Sequence, residues 1–253
     1  MSSEHQHQDP NTARTSQSPA WRYDEMKHCG VDYGNDALAN DYDTHHESFR
    51  DYRREAEQIV TQFGLDRSAT VLDMGCGTGA FALHAAGYYE TIHAVDVSRA
   101  MLACARRKVE EAGIKNVQFH QGGFLTYEHE AEPVDAINTS VALHHLPDFW
   151  KLVALTRLAA ILKPGGRLRL FDVVFSFDVR NHEACFNQFV LAMGEQMGPG
   201  GQAEAETHLR DEYSTCDWVM EGMLERSGFR IDTKEYHDGF LATYLCTKKD
   251  QQP

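Results

Sequence analysis

At 253 residues the chain is long enough for one large α/β domain whose core needs no covalent staples. Its 24 basic residues against 38 acidic ones give a net charge of -14, which argues against a partner gripped through its phosphate backbone and leaves a small molecule as the expected one. No apolar run approaches the roughly 20 residues that span a bilayer, and Met1–Pro19 lacks the apolar core of a signal peptide, so a cytoplasmic monomer or homodimer is expected.

Residues 1–19 are polar, carry Pro10 and Pro19, and read as a disordered tail ahead of a single domain over 20–253. His5 and His7 belong to that tail. Within 20–68 a helical cap is predicted. Trp21, Tyr23, Tyr33, Tyr42 and Phe49 suit short helices draped over the domain, and Tyr52, Ala56, Ile59, Val60 and Phe63 form the stripe of an amphipathic helix. The six cysteines (29, 76, 104, 185, 216 and 246) form no Cys-x-x-Cys pair, so they read as free thiols and no metal site is expected.

From Ala69 onward β-rich runs alternate with helical ones, which predicts a Rossmann-like α/β fold: seven strands, mostly parallel, with helices on both faces and a C-terminal antiparallel hairpin. Strands are predicted at 70–74, 91–95, 117–120, 134–139 and 167–175. Helices are predicted at 81–88, from the N-cap Ser98 to Gly113, and from about Phe149 to Leu162 on the apolar set Trp150, Val153, Leu158, Ile161 and Leu162. Lys163-Pro164-Gly165-Gly166 reads as a turn. Residues 176–212 break the rhythm with a helical run, Cys185–Met197, then Gly198-Pro199-Gly200-Gly201, and read as an insertion or lid over the active site. A helix with Trp218, Met220, Met223 and Leu224 follows, and 229–236 and 240–247 form the hairpin around His237-Asp238-Gly239.

The loop Asp73-Met74-Gly75-Cys76-Gly77-Thr78-Gly79 follows the first strand, where glycines let a ligand reach the backbone. Its GxGxG spacing differs from the GxGxxG of dinucleotide binders. Asp73 ahead of the glycines would repel a pyrophosphate and attract an amino group. Asp96, at the tip of the second strand, can accept both hydroxyls of a ribose. S-adenosylmethionine fits that arrangement of acids and glycines.

Val71 to Gly79 resembles the first motif of the class I S-adenosylmethionine-dependent methyltransferases, and Ala94-Val95-Asp96-Val97-Ser98 with Met101 resembles their second. Val134-Asp135-Ala136-Ile137 through Leu143-His144-His145-Leu146 is similar to the fourth, and Leu162 to Gly166 to the approach to the fifth strand. The nearest likeness within the class is the small-molecule branch of ubiquinone and menaquinone biosynthesis. By position, the resemblance implies Gly75, Cys76, Gly77 and Gly79 in the cofactor loop, Asp96 on the ribose, and Val97 and Met101 on the adenine. Gly123 and Phe124 would bound the adenine on its other side, the Ser140 carbonyl would meet the ammonium, and Tyr42 would help cover the cofactor. The family commonly has an acid where Gly123 stands, so another group must receive the adenine amino group.

No catalytic residue is assigned. Methyl transfer from a sulfonium needs chiefly alignment and a dry site, with a base only for some acceptors. One imidazole of His144 and His145, at the carboxyl edge of the sheet, could act as that base; the pair also suits the start of the next helix. Cys29, Cys185 and Cys216 fall in the segments expected to roof the pocket, where thiolates could converge on arsenite or serve as small hydrophobes. Asn138-Thr139-Ser140-Val141 stands in place of an Asn-Pro-Pro-Tyr-like signature of amino-group methylation. The alternatives to a small-molecule acceptor are a methyltransferase of RNA or protein and a non-enzymatic cofactor-binding scaffold.

Overall fold

The computed structural model describes residues 19–27, 29–30 and 50–250. Helix α1 (Tyr52–Phe63) begins at Asp51, whose carboxylate accepts the Arg54 N–H, and stops at the left-handed Gly64. Ala56, Ile59 and Phe63 are its buried stripe. Strands and helices then alternate: β1 (Thr70–Met74), α2 (Ala80–Ala85), β2 (Thr91–Asp96), α3 (Arg99–Glu111), β3 (Val117–Gln121), β4 (Val134–Ser140), α4 (Asp148–Ile161) and β5 (Leu162–Phe175). Helix α5 (His182–Asp211), the two-residue β6 (Thr215–Cys216), α6 (Asp217–Arg226) and the hairpin β7 (Phe229–His237) and β8 (Leu241–Lys248) complete the described chain.

The sheet order is β3-β2-β1-β4-β5-β8-β7, with β6 pairing beside β5. Strands β1 to β5 are parallel, and β8 runs antiparallel to both β5 and β7. The expected seven-strand path is therefore present, with β6 as a short eighth strand off it. Both faces of the sheet are covered, which is why its central strands are almost continuously apolar. Val71 of β1 packs with Ala56, Phe63 and Phe81 on one side. Leu72 and Met74 pack with Ile137, Leu155 and Leu224 on the other.

Several local expectations change. Helix α4 buries Ala154, Leu155, Leu158, Ala159 and Lys151, whereas Trp150, Val153 and Ile161 are half-buried. Trp150 stacks on Trp21 instead. The buried Lys151 ammonium is satisfied, because Nζ donates to Asp148 Oδ1 at 2.8 Å and to the Tyr213 carbonyl. Lys163–Gly166 is an irregularity inside β5 rather than a separate turn, and the pairing steps there from Val134↔Leu162 to Ala136↔Arg167.

Helix α5 continues through Gly198-Pro199-Gly200-Gly201 and bends at Gly198 (φ 72, ψ -162). Pro199 falls in the first turn of the resumed helix, where no amide donor is needed. Trp218 lies on α6 but faces solvent. Residues 20–27 form turns and bends rather than short helices, and the part of the cap containing Tyr33, Tyr42 and Phe49 lies outside the described residues.

Candidate active site

A cavity of about 880 Å³ opens at the carboxyl ends of β1, β2, β4 and β5, the edge where open α/β sheets take ligands. Its floor is the loop after β1. Gly75 and Cys76 both donate their N–H groups to the Val95 carbonyl, at 2.8 and 3.0 Å, which pins the loop to β2. Asp96 then ties the two strand tips together: Oδ2 accepts the Gly77 N–H at 2.8 Å and Oδ1 the Ser98 N–H at 2.8 Å. Burial raises the Asp96 pKa, and the backbone donors oppose that rise. A carboxylate has about four acceptor sites in all, so Asp96 keeps acceptor capacity for a ligand hydroxyl.

Gly77 has φ 52, and a Cβ built there meets no atom within 4 Å. The backbone at that point is therefore bare toward the cavity. Gly79 works differently, since a Cβ at 79 would stand 2.8 Å from the Ala105 Cβ on α3, so this glycine lets the helix start pack closely.

Of the residues singled out from sequence, Gly75, Gly77, Asp96, Val97, Met101, Gly123, Phe124 and Ser140 come together on the cavity wall. Asp73, Cys76 and Gly79 stand behind it, and Tyr42 lies outside the described residues. Asp73 is buried, with Oδ1 accepting the Asn138 Nδ2–H at 2.8 Å. Burial pushes its pKa up to about 7. Among the three cysteines Cys29 lines the cavity, and Cys185 and Cys216 do not.

Glu25 and Arg169, which also line the wall, escaped the sequence reading. A Cβ at Gly123 would stand 2.5 Å from Glu25 Oε2 and 2.7 Å from Val97 Cγ1. Glu25 Oε1 accepts the Leu125 N–H at 2.8 Å and the Thr126 hydroxyl at 2.7 Å. Its carboxylate thus fills the volume that a side chain at 123 would claim, and burial raises its pKa. Arg169, from β5, donates Nε to Gln62 Oε1 at 3.0 Å and Nη1 to Ser140 Oγ at 3.2 Å and Asn138 Oδ1 at 3.3 Å. Burial lowers its pKa to about 10.

At the other end of the cavity His144 is buried between two carboxylates. Its Nδ1 lies 2.5 Å from Asp172 Oδ1 and its Nε2 3.3 Å from Glu212 Oε2. Burial works to lower the His144 pKa, but the two acids outweigh it and hold the ring at about 9. Burial and the neighbouring His144 cation push His145 the other way, to about 3. Burial would raise Glu212, yet the bonds from His144 and His208 hold it well below the usual carboxylate range.

Residues 71–166 match the family described as Methyltransferase domain. An uncharacterized methyltransferase of Anoxybacillus flavithermus is 28% identical over 197 residues, covering 76% of this chain and 86% of the relative. Another, from Geobacillus kaustophilus, is 28% identical over 72% of this chain and 79% of its own length. Among solved structures, an S-adenosylmethionine-dependent methyltransferase from Clostridium acetobutylicum shares the fold with a TM-score of 0.64 at 14% identity, covering 85% of this chain and 98% of that one. The cyclopropane synthase of Mycobacterium tuberculosis shares it with a TM-score of 0.58 at 16% identity, covering 77% and 83%. Sheet order and glycine loop agree with the domain match: residues 71–166 carry a methyltransferase domain, and the chain is similar to methyltransferases over about three quarters of its length.

Proposed function

We propose that the enzyme uses S-adenosylmethionine as its cofactor to methylate a small-molecule acceptor bound in the same cavity. The observation that carries this reading is the cavity's size and roof. Its volume of about 880 Å³ falls in the range of roughly 300–1,000 Å³ usual for small-ligand sites. Phe189, Met193 and Met197 of α5 and Tyr23 and Met26 of the N-terminal segment bound it. Such a wall suits an apolar or aromatic acceptor better than a basic groove for a polymer would. On this reading residues 176–212 act as a lid within a single domain.

The residues present fit the cofactor. The bare backbone at Gly77, beside Gly75, accommodates the methionine moiety. Asp96 has lone pairs for the ribose hydroxyls, and Val97, Met101 and Phe124 offer apolar faces to the adenine. Glu25 takes the adenine amino group in place of a side chain at Gly123. The Ser140 carbonyl, with the buried Asp73 behind it, favours the ammonium. Cys76 and Gly79 shape the loop from behind, and Tyr42 is assigned to the cover. The cofactor supplies an activated methyl group, and the chain aligns the acceptor and excludes water.

Isothermal titration with S-adenosylmethionine, wild type against Asp96→Ala, tests the cofactor assignments, and unchanged affinity in the variant would remove Asp96 from the site. A turnover screen of thiols, phenols, amines and carboxylic acids tests the acceptor class. Tight, salt-sensitive RNA association by filter binding, with no small-molecule turnover, would overturn it.

A further inference from the structure

His144, His145 and Glu212 form a cluster that the glycine loop does not explain. One ligand-type atom of each lies within 4.8 Å of the others, and all three residues border the cavity. The separations of 3.3 Å for His144 Nε2–Glu212 Oε2 and 4.0 Å for His145 Nδ1–Glu212 Oε1 can be spanned by one ion whose ligands sit about 2.0–2.2 Å away. We propose that these three residues bind a divalent transition-metal ion of the zinc or ferrous-iron class, with its open coordination positions facing the cavity.

Two further observations support an ion rather than a salt bridge alone. The first is orientation. Metal-ligating histidines usually give their other ring N–H to a carboxylate, and Asp172 Oδ1 stands 2.5 Å from His144 Nδ1, which turns Nε2 toward Glu212. Asp172 is itself fixed, accepting the backbone N–H groups of Leu143 and Val173 at 2.8 and 2.7 Å. His208 plays the matching part for Glu212, its Nδ1 holding Oε2 while Nε2 lies 2.8 Å from Ser214 Oγ.

The second is charge. The Glu212 and Asp172 side chains are only 3% and 1% exposed. A divalent ion held by neutral imidazoles would take the place of the His144 proton and balance the two buried carboxylates. The donor set of two imidazoles and a carboxylate suits zinc, iron or cobalt rather than calcium or magnesium. Cys-x-x-Cys spacing is silent about such a site, because Glu212 arrives from the end of a helix remote in sequence.

The site adjoins the cavity of the proposed reaction, yet its occupancy can be read without turnover. The full chain, stripped with chelator, is titrated with Zn²⁺ by calorimetry and with Co²⁺ by its visible absorption bands. One equivalent per chain is expected, weakened about 100-fold or more in His145→Ala and in Glu212→Gln. Glu212 is buried, so His145→Ala, at a partly exposed ring, keeps the test valid if the other variant misfolds. Binding of S-adenosylhomocysteine, measured on each variant, reports separately whether the cofactor end is intact. Absence of stoichiometric binding by the wild type overturns the site. So does binding that survives both substitutions but is lost in His129→Ala, which would place the ion at a separate group of imidazoles, where His93 Nδ1 lies 3.1 Å from His120 Nε2 and the His93 and His129 ring centroids are 5.1 Å apart.

Discussion

The Glu25 carboxylate occupies the space beside Gly123 so closely that a Cβ at 123 would stand 2.5 Å from Glu25 Oε2. One residue comes from the N-terminal segment and the other from the turn after β3, so an acidic function can sit at this point of the wall without being encoded there. Glu25→Ala is expected to weaken S-adenosylhomocysteine binding about tenfold, consistent with about 1.4 kcal/mol for one lost hydrogen bond to a charged group. Gly123→Asp alone should also bind poorly, because the new side chain meets Glu25. Combining Glu25→Ala with Gly123→Asp should recover much of the affinity, since the acid then returns from the turn after β3. Calorimetry on the four proteins decides it. Additive losses in the double variant would mean that the two positions serve different ends.

That substitution also marks where the sequence stopped being readable. The alternation of strands and helices, the loop after β1 and the Ser98 cap follow from local chemistry, so they were legible. Ser98 Oγ accepts the Met101 N–H at 3.2 Å, as an N-cap should. Eight of the twelve expected cofactor residues share one wall for the same reason, being attached to adjacent strand ends. Glu25, Arg169, Asp172 and Glu212 were illegible because their partners are set by tertiary approach rather than spacing. The burial of Lys151, which is not in the apolar set read for α4, was illegible for the same reason. A lysine looks solvated until a carbonyl from elsewhere, here Tyr213, comes to meet it.

Asp73 supplies a pH prediction. Burial raises its pKa to about 7, above the ordinary value near 3.9 that it has in the unfolded chain. The sign follows from proton binding. The folded state holds this proton more tightly, so the contribution to stability is full below about pH 4 and is lost as pH rises through about 7. An ammonium bound nearby favours the ionised carboxylate. Cofactor affinity should therefore climb between pH 6 and 8 in the wild type by more than in Asp73→Asn. Parallel profiles for the two proteins would show that the carboxylate does not sense the ligand.

Lys151 should matter for stability. Lys151→Ala removes a buried ammonium that donates to the Tyr213 carbonyl and pairs with Asp148. A hydrogen bond from a charged group contributes roughly 1.5–3 kcal/mol, and Asp148, being half-exposed, adds little because water screens it. A lower midpoint in urea denaturation with an unchanged slope is expected. Because Tyr213 N–H also donates to the His144 carbonyl at 2.9 Å, loosening this segment should reduce acceptor turnover as well. A variant as stable as the wild type would mean that water replaces the ammonium at no cost.

Gly198 tests the roof. Its φ of 72 and ψ of -162 lie in a region open essentially to glycine alone, so a side chain there costs about 1–3 kcal/mol of backbone strain. No neighbouring atom lies within 4 Å of a Cβ at this position, so the penalty is conformational rather than a clash. The bend joins a first half carrying Phe189, Met193 and Met197 to a second half carrying Ala205 and His208, and all five border the cavity. Gly198→Ala should straighten or shift one half against the other and misplace that wall. The loop after β1 and the Asp96 contacts lie at the opposite side and should be spared. The expected result is a raised KM for the acceptor, several-fold or more, with S-adenosylhomocysteine affinity within about twofold of wild type. Equal losses in both would instead tie the bend to the cofactor end, and no loss in either would detach α5 from the acceptor.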